Sequence, residues 1–201
     1  MREFVIYSNT GRTAPDFNPN KLMDAGRLDI IVHSIIHALF VSNNMRSDVI
    51  LHIFLYGPPD PPKYIKIESN PDIPFSKKDI GTLLKIILAK YKRKKRVKVF
   101  PGVFVEKKEF IDFIEEMLQK KRNIYLLDKK GSPISRTKIK KDPIFILGDH
   151  IGLPKRIKRF LQKYKIPSIS LGEIEYFTSQ CIVILNHYLD MRKGFSLIYE
   201  T

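Results

Sequence analysis

The chain carries a single cysteine, Cys181, among its 201 residues. One cysteine cannot form an internal disulfide, and it excludes a zinc cluster built from several thiolates. No apolar run approaches the roughly 20 residues that span a bilayer, so no membrane partner is expected. Met1-Arg2-Glu3-Phe4 is not a charged-then-apolar leader. No secretory signal is therefore expected, and the cytoplasm is the natural compartment. Several catalytic signatures are also missing. There is no P-loop and no G-x-S-x-G elbow, and neither Gly148-x-x-x-Gly152 nor any other glycine set fits the dinucleotide fingerprint. His33 and His37 stand four apart, a spacing that puts two ligands on one helix face, but Ser34 stands where the zinc-protease pattern needs a glutamate. Kinase, NTPase, hydrolase and metalloprotease chemistry are poorly served, and no metal is expected.

Acidic residues are scarce relative to basic ones. Twenty-one Asp and Glu face 36 Lys and Arg, a formal charge of +15. Such an excess attracts polyanions over long range. It is also clustered, which favours nucleic acid over a merely soluble surface. Lys90 to Lys98 reads KYKRKKRVK, seven basic side chains in nine residues, centred on Lys92, Arg93, Lys94 and Lys95. Lys155, Arg156, Lys158, Arg159, Lys163 and Lys165 form a second cluster, and Arg136, Lys138, Lys140 and Lys141 a third. No basic helix carries a large exposed apolar face, so an anionic membrane is the weaker reading.

An apolar fraction of 43% is enough for the core of one domain spanning 1–201. Arg2 to Ser8 reads as a strand with Phe4 and Ile6 on one face. Leu28, Ile31, Ile35 and Leu39 recur at helical spacing within Leu28 to Val41. Asp48 to Tyr56 and Tyr64 to Glu68 flank the turn Gly57-Pro58-Pro59-Asp60-Pro61-Pro62 and are expected to pair as a hairpin. Ser76-Lys77-Lys78-Asp79 resembles a capping box opening a helix through Ala89. A broken strand follows at Val97 to Val105, then a helix from Lys107 to Gln119. Strands are expected at Asn123 to Leu127, Pro143 to Leu147 and Ser168 to Leu171, and helices at Leu153 to Tyr164 and Thr178 to Met191. Alternating strands and helices predict an α/β domain with a mostly parallel sheet flanked by helices.

The last third is the most telling. One apolar strand ends in Leu147-Gly148-Asp149-His150 and another in Leu171-Gly172. Glycine turns at strand ends bring bare backbone to a ligand. Followed by a helix carrying Ser179-Gln180-Cys181, the pair resembles the cofactor end of the SPOUT methyltransferases, whose C-terminal chain forms a trefoil knot. Gly26-Arg27-Leu28-Asp29-Ile30-Ile31-Val32-His33-Ser34 resembles the SPOUT branch that methylates pseudouridine. From Arg2-Glu3-Phe4 to the final helix, the chain is similar to the archaeal tRNA (pseudouridine-54-N1)-methyltransferase family, TrmY.

The resemblance implies a fold, a knot over about 123–201, and a set of roles. S-adenosyl-L-methionine would bind at Leu127, Leu147, Gly148, Asp149, Leu171, Gly172, Ile174, Tyr176 and Cys181. Asp29 would hold or accept the pseudouridine N1 proton, and Arg27 would bind phosphate or base. Without the resemblance, Arg27 and Asp29 read as decoration of a helix N-terminus. Cys181 lies near a helix N-terminus, where a thiolate would be favoured, yet nitrogen methylation needs no thiol. Arg2, Arg12, Arg27, Lys92, Arg93, Lys94, Lys95, Lys155, Arg156 and Arg159 are the candidate contacts to tRNA. A homodimer is expected, paired through knot helices with Ile182, Leu185 and Leu189 of the final helix. Two other functions remain open: the same reaction on small-subunit ribosomal RNA, and a noncatalytic RNA-binding assembly factor.

Overall fold

The computed structural model describes residues 1–42, 44–70 and 79–192. Among these residues eight strands form one sheet: β1 (Arg2–Ser8), β2 (Val49–Leu55), β3 (Lys63–Glu68), β4 (Val97–Phe100), β5 (Val103–Glu106), β6 (Asn123–Pro133), β7 (Pro143–Gly148) and β8 (Ser168–Ser170). Their order across the sheet is β4-β5-β3-β2-β1-β7-β6-β8. Four of the seven pairings are parallel, all in the half from β2 to β8. The β2–β3–β5–β4 end is antiparallel and includes the expected hairpin of β2 with β3.

Among the described residues, five α-helices cover the sheet: α1 (Leu28–Leu39), α2 (Ile80–Ala89), α3 (Phe110–Gln119), α4 (Lys155–Lys163) and α5 (Thr178–Arg192). The period-two alternation of the strands sorts the core into two layers. Phe4 and Ile6 of β1, Leu51 and Ile53 of β2, and Phe145 and Leu147 of β7 point to one side, with α1, α2 and α5. Val5, Tyr7, Phe54, Ile144 and Ile146 point to the other, with α3 and α4. Every residue of β1 is buried, as a central parallel strand covered on both faces requires. Burying one such aliphatic side chain contributes about 1.5–3 kcal/mol before chain entropy is counted.

Two expectations shift, and a third lies mostly outside the described residues. The capping residues Ser76, Lys77 and Lys78 lie outside the described residues; Asp79 precedes α2 without a side-chain cap. The broken strand is a true hairpin, β4 and β5 folding back around the turn at Gly102, whose φ is +74°. β6 runs six residues beyond Leu127, because Gly131 lets its backbone pass β8; a Cβ there would sit 2.5 Å from the Ile169 nitrogen.

Much of the expected dimer face is taken up inside the chain. Ile182 and Leu185 of α5 are fully buried within the chain and belong to the same core as α1, with Leu189 packed against it. Ile182 and Leu185 therefore leave no surface for a second copy, whereas Leu189 is only partly covered.

Candidate active site

Parallel strands leave their carboxyl ends along one sheet edge, where loops diverge and open α/β sheets form clefts. Here a cavity of about 760 Å³ opens at that edge. All nine expected cofactor residues line it, and so do Arg27 and Asp29. The N-terminal and C-terminal motifs, over a hundred residues apart in sequence, therefore share one cavity.

The loop after β7 is held by its own side chains. The two oxygens of Asp149 accept hydrogen bonds from the Asn9 amide (2.6 Å), the Asn9 side-chain amide (2.8 Å) and the Ile151 amide (2.9 Å). The Asp149 carboxylate thus ties the β7 loop to the β1 loop. Gly148 is required by this packing: a Cβ would lie 2.7 Å from the Cα and carbonyl carbon of Gly152. Gly172 differs. Its φ is +118°, a conformation for glycine, and no atom lies within 4 Å of where a Cβ would stand. Thr178 at the start of α5 donates to the Gly148 carbonyl at 2.8 Å and closes the floor.

Cys181 lines this floor but is no thiolate. Burial pushes its thiol up to about 11, outweighing the helix N-terminus that sequence position alone emphasised.

Arg27 and Asp29 are presented by an unusual corner. Gly26 and Arg27 are consecutive left-handed residues, with φ of 67° and 63°. Gly26 has no choice, since a Cβ would collide with the Thr10 carbonyl oxygen. A left-handed arginine costs roughly 1–2 kcal/mol, so the surrounding contacts must hold it. Its guanidinium donates from Nε and Nη2 to the two oxygens of Asp29, both at 3.0 Å. This pairing raises the Arg27 pKa above its ordinary value. Both side chains stay partly open to the cavity.

Sequence reasoning missed part of the wall. His33, one helical turn beyond Asp29, faces the same cavity. Asp128 and Lys158 form an ion pair at 2.9 Å on its rim. Burial disfavours the Asp128 charge, but the Lys130 amide and Lys158 more than offset it and leave its pKa lowered. Lys129 and Glu175 pair at 3.0 Å. The phase of α4 was the available signal for Lys158, since Ile157 and Leu161 face inward and fix which neighbours face the strand ends.

The candidate RNA contacts divide. Arg2 is misplaced by the sequence reading: only 3% exposed, it reaches Asp48 (3.0 Å), Asp190 (2.8 Å) and Asn186 (3.0 Å) and clamps β1 to α5. It has no guanidinium free for RNA. Arg12 is bound to Asp16 on the loop beside Ala25. Lys92 to Lys95 are exposed and have no ion pair among the described residues. Lys155, Arg156 and Arg159 project from α4.

Residues 1–194 match a family described as "Putative SAM-dependent RNA methyltransferase". The chain belongs to this family. It is 33% identical over 206 residues to a tRNA (pseudouridine(54)-N(1))-methyltransferase from Methanocaldococcus jannaschii, covering 96% of this chain and 98% of the relative. It is 36% identical over 203 residues to the Pyrococcus abyssi enzyme of the same name, covering 94% and 98%. Its fold is similar to a crystal structure of Archaeoglobus fulgidus Nep1 bound to S-adenosylhomocysteine, with a TM-score of 0.67, 13% identity, and coverage of 96% and 98%. These similarities make the family's α/β fold, with its largely parallel sheet, the architecture of this chain.

Proposed function

We propose that the chain is a tRNA (pseudouridine-54-N1)-methyltransferase using S-adenosyl-L-methionine. The observation that carries this reading is the convergence of the Arg27–Asp29 corner with the Gly148 and Gly172 loops on one cavity. Near-complete alignment with relatives of that name supports it. The cavity falls within the roughly 300–1,000 Å³ of small-molecule sites. Its walls suit a nucleoside: Leu127, Leu147 and Leu171 offer apolar surface, and the glycine loops offer bare amides and carbonyls. Leu127, Leu147, Gly148, Asp149, Leu171, Gly172, Ile174, Tyr176 and Cys181 would hold the cofactor.

When bound, S-adenosylmethionine supplies a methyl group already activated on a sulfonium sulfur. The chain's own task is to orient a base and to dispose of a proton. Pseudouridine is a C-glycoside, so its N1 bears hydrogen, whereas the same position in uridine carries the sugar. Asp29 accepts the N1 proton, and Arg27 orients the base or its phosphate while steadying the developing charge. Holding the base rigidly supplies several kcal/mol of the barrier through alignment alone.

The finer architectural reading is a trefoil knot over about 123–201. What supports it is the family match over residues 1–194 together with the resemblance to the SPOUT methyltransferases. A homodimer, placed in the cytoplasm with its tRNA, completes the proposal. Its face is not the buried one of Ile182 and Leu185. Ile174 and Phe177, at 67% and 77% exposure, and Val183 form the apolar rim that a second copy would cover.

Labelled-methyl transfer to tRNA and to a small-subunit ribosomal RNA fragment, each containing pseudouridine, tests the reading. Methylation of tRNA alone is expected. Preferential methylation of ribosomal RNA moves the chain to the other branch, and tight RNA binding with no transfer makes it an assembly factor.

A further inference from the structure

The strand register locates the lysine run relative to the cavity. One row of paired residues crosses the sheet from Val97 in β4 through Val105, Ile65, Ile53 and Ile6 to Leu147 in β7. β4 runs opposite to β1 and β7, so the residues before Val97 leave the sheet on the side where β7 ends at Gly148. Arg96, paired with Glu106 at 3.7 Å, marks that exit. Lys92 to Lys95 and the cavity therefore lie along the same edge of the sheet. Five strand spacings separate β4 from β7 and seven separate it from β8. At about 4.8 Å per spacing the distance is roughly 24–34 Å.

The charge along this edge is uneven. In the middle the named charges are held in ion pairs: Asp60 with Lys63 and Lys107, and Arg12 with Asp16. At one end Lys92 to Lys95 project without ion pairs among the described residues, the chain turning at Lys94 with φ +59°. At the other end α4 projects Lys155, Arg156 and Arg159 beside the cavity.

We propose that this edge is a two-point grip for a helical RNA: the cavity end takes the loop that carries the target base, and the Lys92–Lys95 turn takes the backbone of the stem leading away from it. The inference rests on the tRNA reading above and deepens it. A span of roughly 24–34 Å matches about nine to twelve stacked pairs of an A-form RNA helix, which rises about 2.8 Å per pair. That exceeds a short hairpin stem and calls for a helix extended by coaxial stacking, as the T arm is by the acceptor stem. The occupant is duplex because the contacts are lysines and an arginine with no exposed aromatic in the turn. Such a set holds phosphates without reading bases or stacking on them.

The test compares two pseudouridine-containing RNAs: an isolated T-arm hairpin, and the same arm extended by its acceptor stem. Binding and single-turnover methylation are measured with the parent and with a variant carrying Lys92→Ser, Arg93→Ser, Lys94→Asn and Lys95→Ser. Asn at position 94 keeps a residue that tolerates the left-handed turn. The parent is expected to bind the extended RNA at least about tenfold more tightly than the hairpin. The variant should lose that advantage, together with roughly three units of the salt slope, and should bind the hairpin as the parent does. Equal losses on both RNAs, or no loss on either, would overturn the grip. Length-dependent binding that disappears in the variant, with no methylation of either RNA by the parent, would sink the functional reading and leave the grip standing.

Discussion

Replacing Asp29 by Asn separates the chemistry of the Arg27 corner from its architecture. Asn has nearly the same shape, but it offers one acceptor oxygen in place of two and no charge. Of the two 3.0 Å bonds from Arg27, one survives. The pair is partly solvated, at 37% and 24% exposure, so its contribution to folding is about 0.2–1 kcal/mol. For a chain of this size that moves Tm by roughly 4 °C at most. Arg27 stays left-handed because Gly26 and the backbone bond from Arg27 to the Met23 carbonyl still fix the corner. Cofactor affinity should change little, since the amides and carbonyls of the β7 and β8 loops are untouched. Loss of the proton acceptor, by contrast, lowers the chemical step about 10²–10⁴-fold. Single-turnover methylation at saturating cofactor and RNA reads that step directly. The residual rate should climb with pH as hydroxide takes over, more steeply than in the parent. A variant that turns over at the parental rate would refute the reasoning, and Asp29 would then be only an acidic residue at a helix start.

Three further outcomes follow from the packing. Arg2→Ala should destabilise by roughly 2–3 kcal/mol, because it strips a buried guanidinium from Asp48 and Asp190, while RNA affinity of the folded protein stays unchanged; thermal melts and filter binding check both. Gly148→Ala should destabilise by about 1–3 kcal/mol and weaken binding of S-adenosylhomocysteine in titration calorimetry, since the Gly148–Gly152 loop must open to admit a Cβ; unchanged affinity would show that the loop's close approach is incidental. The buried His52 is held neutral, with burial lowering its pKa below 6.5 despite Glu3 at 2.8 Å. The unfolded chain takes up a proton that the folded one refuses, so stability is fully present above pH 6.5 and declines as pH falls below it. His52→Gln should flatten that slope in urea titrations between pH 7 and 5.5, and an unchanged slope would remove His52 as its source.

How much was legible in the sequence depends on the range of the interaction. The alternation in Phe4 and Ile6 and the helical spacing of Leu28, Ile31, Ile35 and Leu39 are local, and both faces came out as expected. The cavity was legible through its glycines, because a strand ending in glycine needs no tertiary information to suggest exposed backbone. Arg2 was misread because its two acidic partners lie 46 and 188 positions away, and nothing local shows that every residue of β1 is covered. The extension of β6 was hidden for the same reason, Gly131 being explained only by the backbone of Ile169. His33 and Asp128 were missed as cavity residues since their positions become informative only once the sheet order is known, whereas the phase of α4 already pointed to Lys158. Cys181 shows two local effects in conflict, with burial prevailing over position at a helix start.

The most direct measurement is position-resolved mass spectrometry of tRNA after reaction with this protein and S-adenosylmethionine. Two substrates identical except for pseudouridine or uridine at position 54 should be used. The expected result is one methyl group on N1 of the base at position 54 in the pseudouridine tRNA, and none in the uridine tRNA. Methylation of the uridine tRNA, or of the pseudouridine tRNA at any other atom or position, would contradict the assignment of the Arg27–Asp29 corner to the N1 proton.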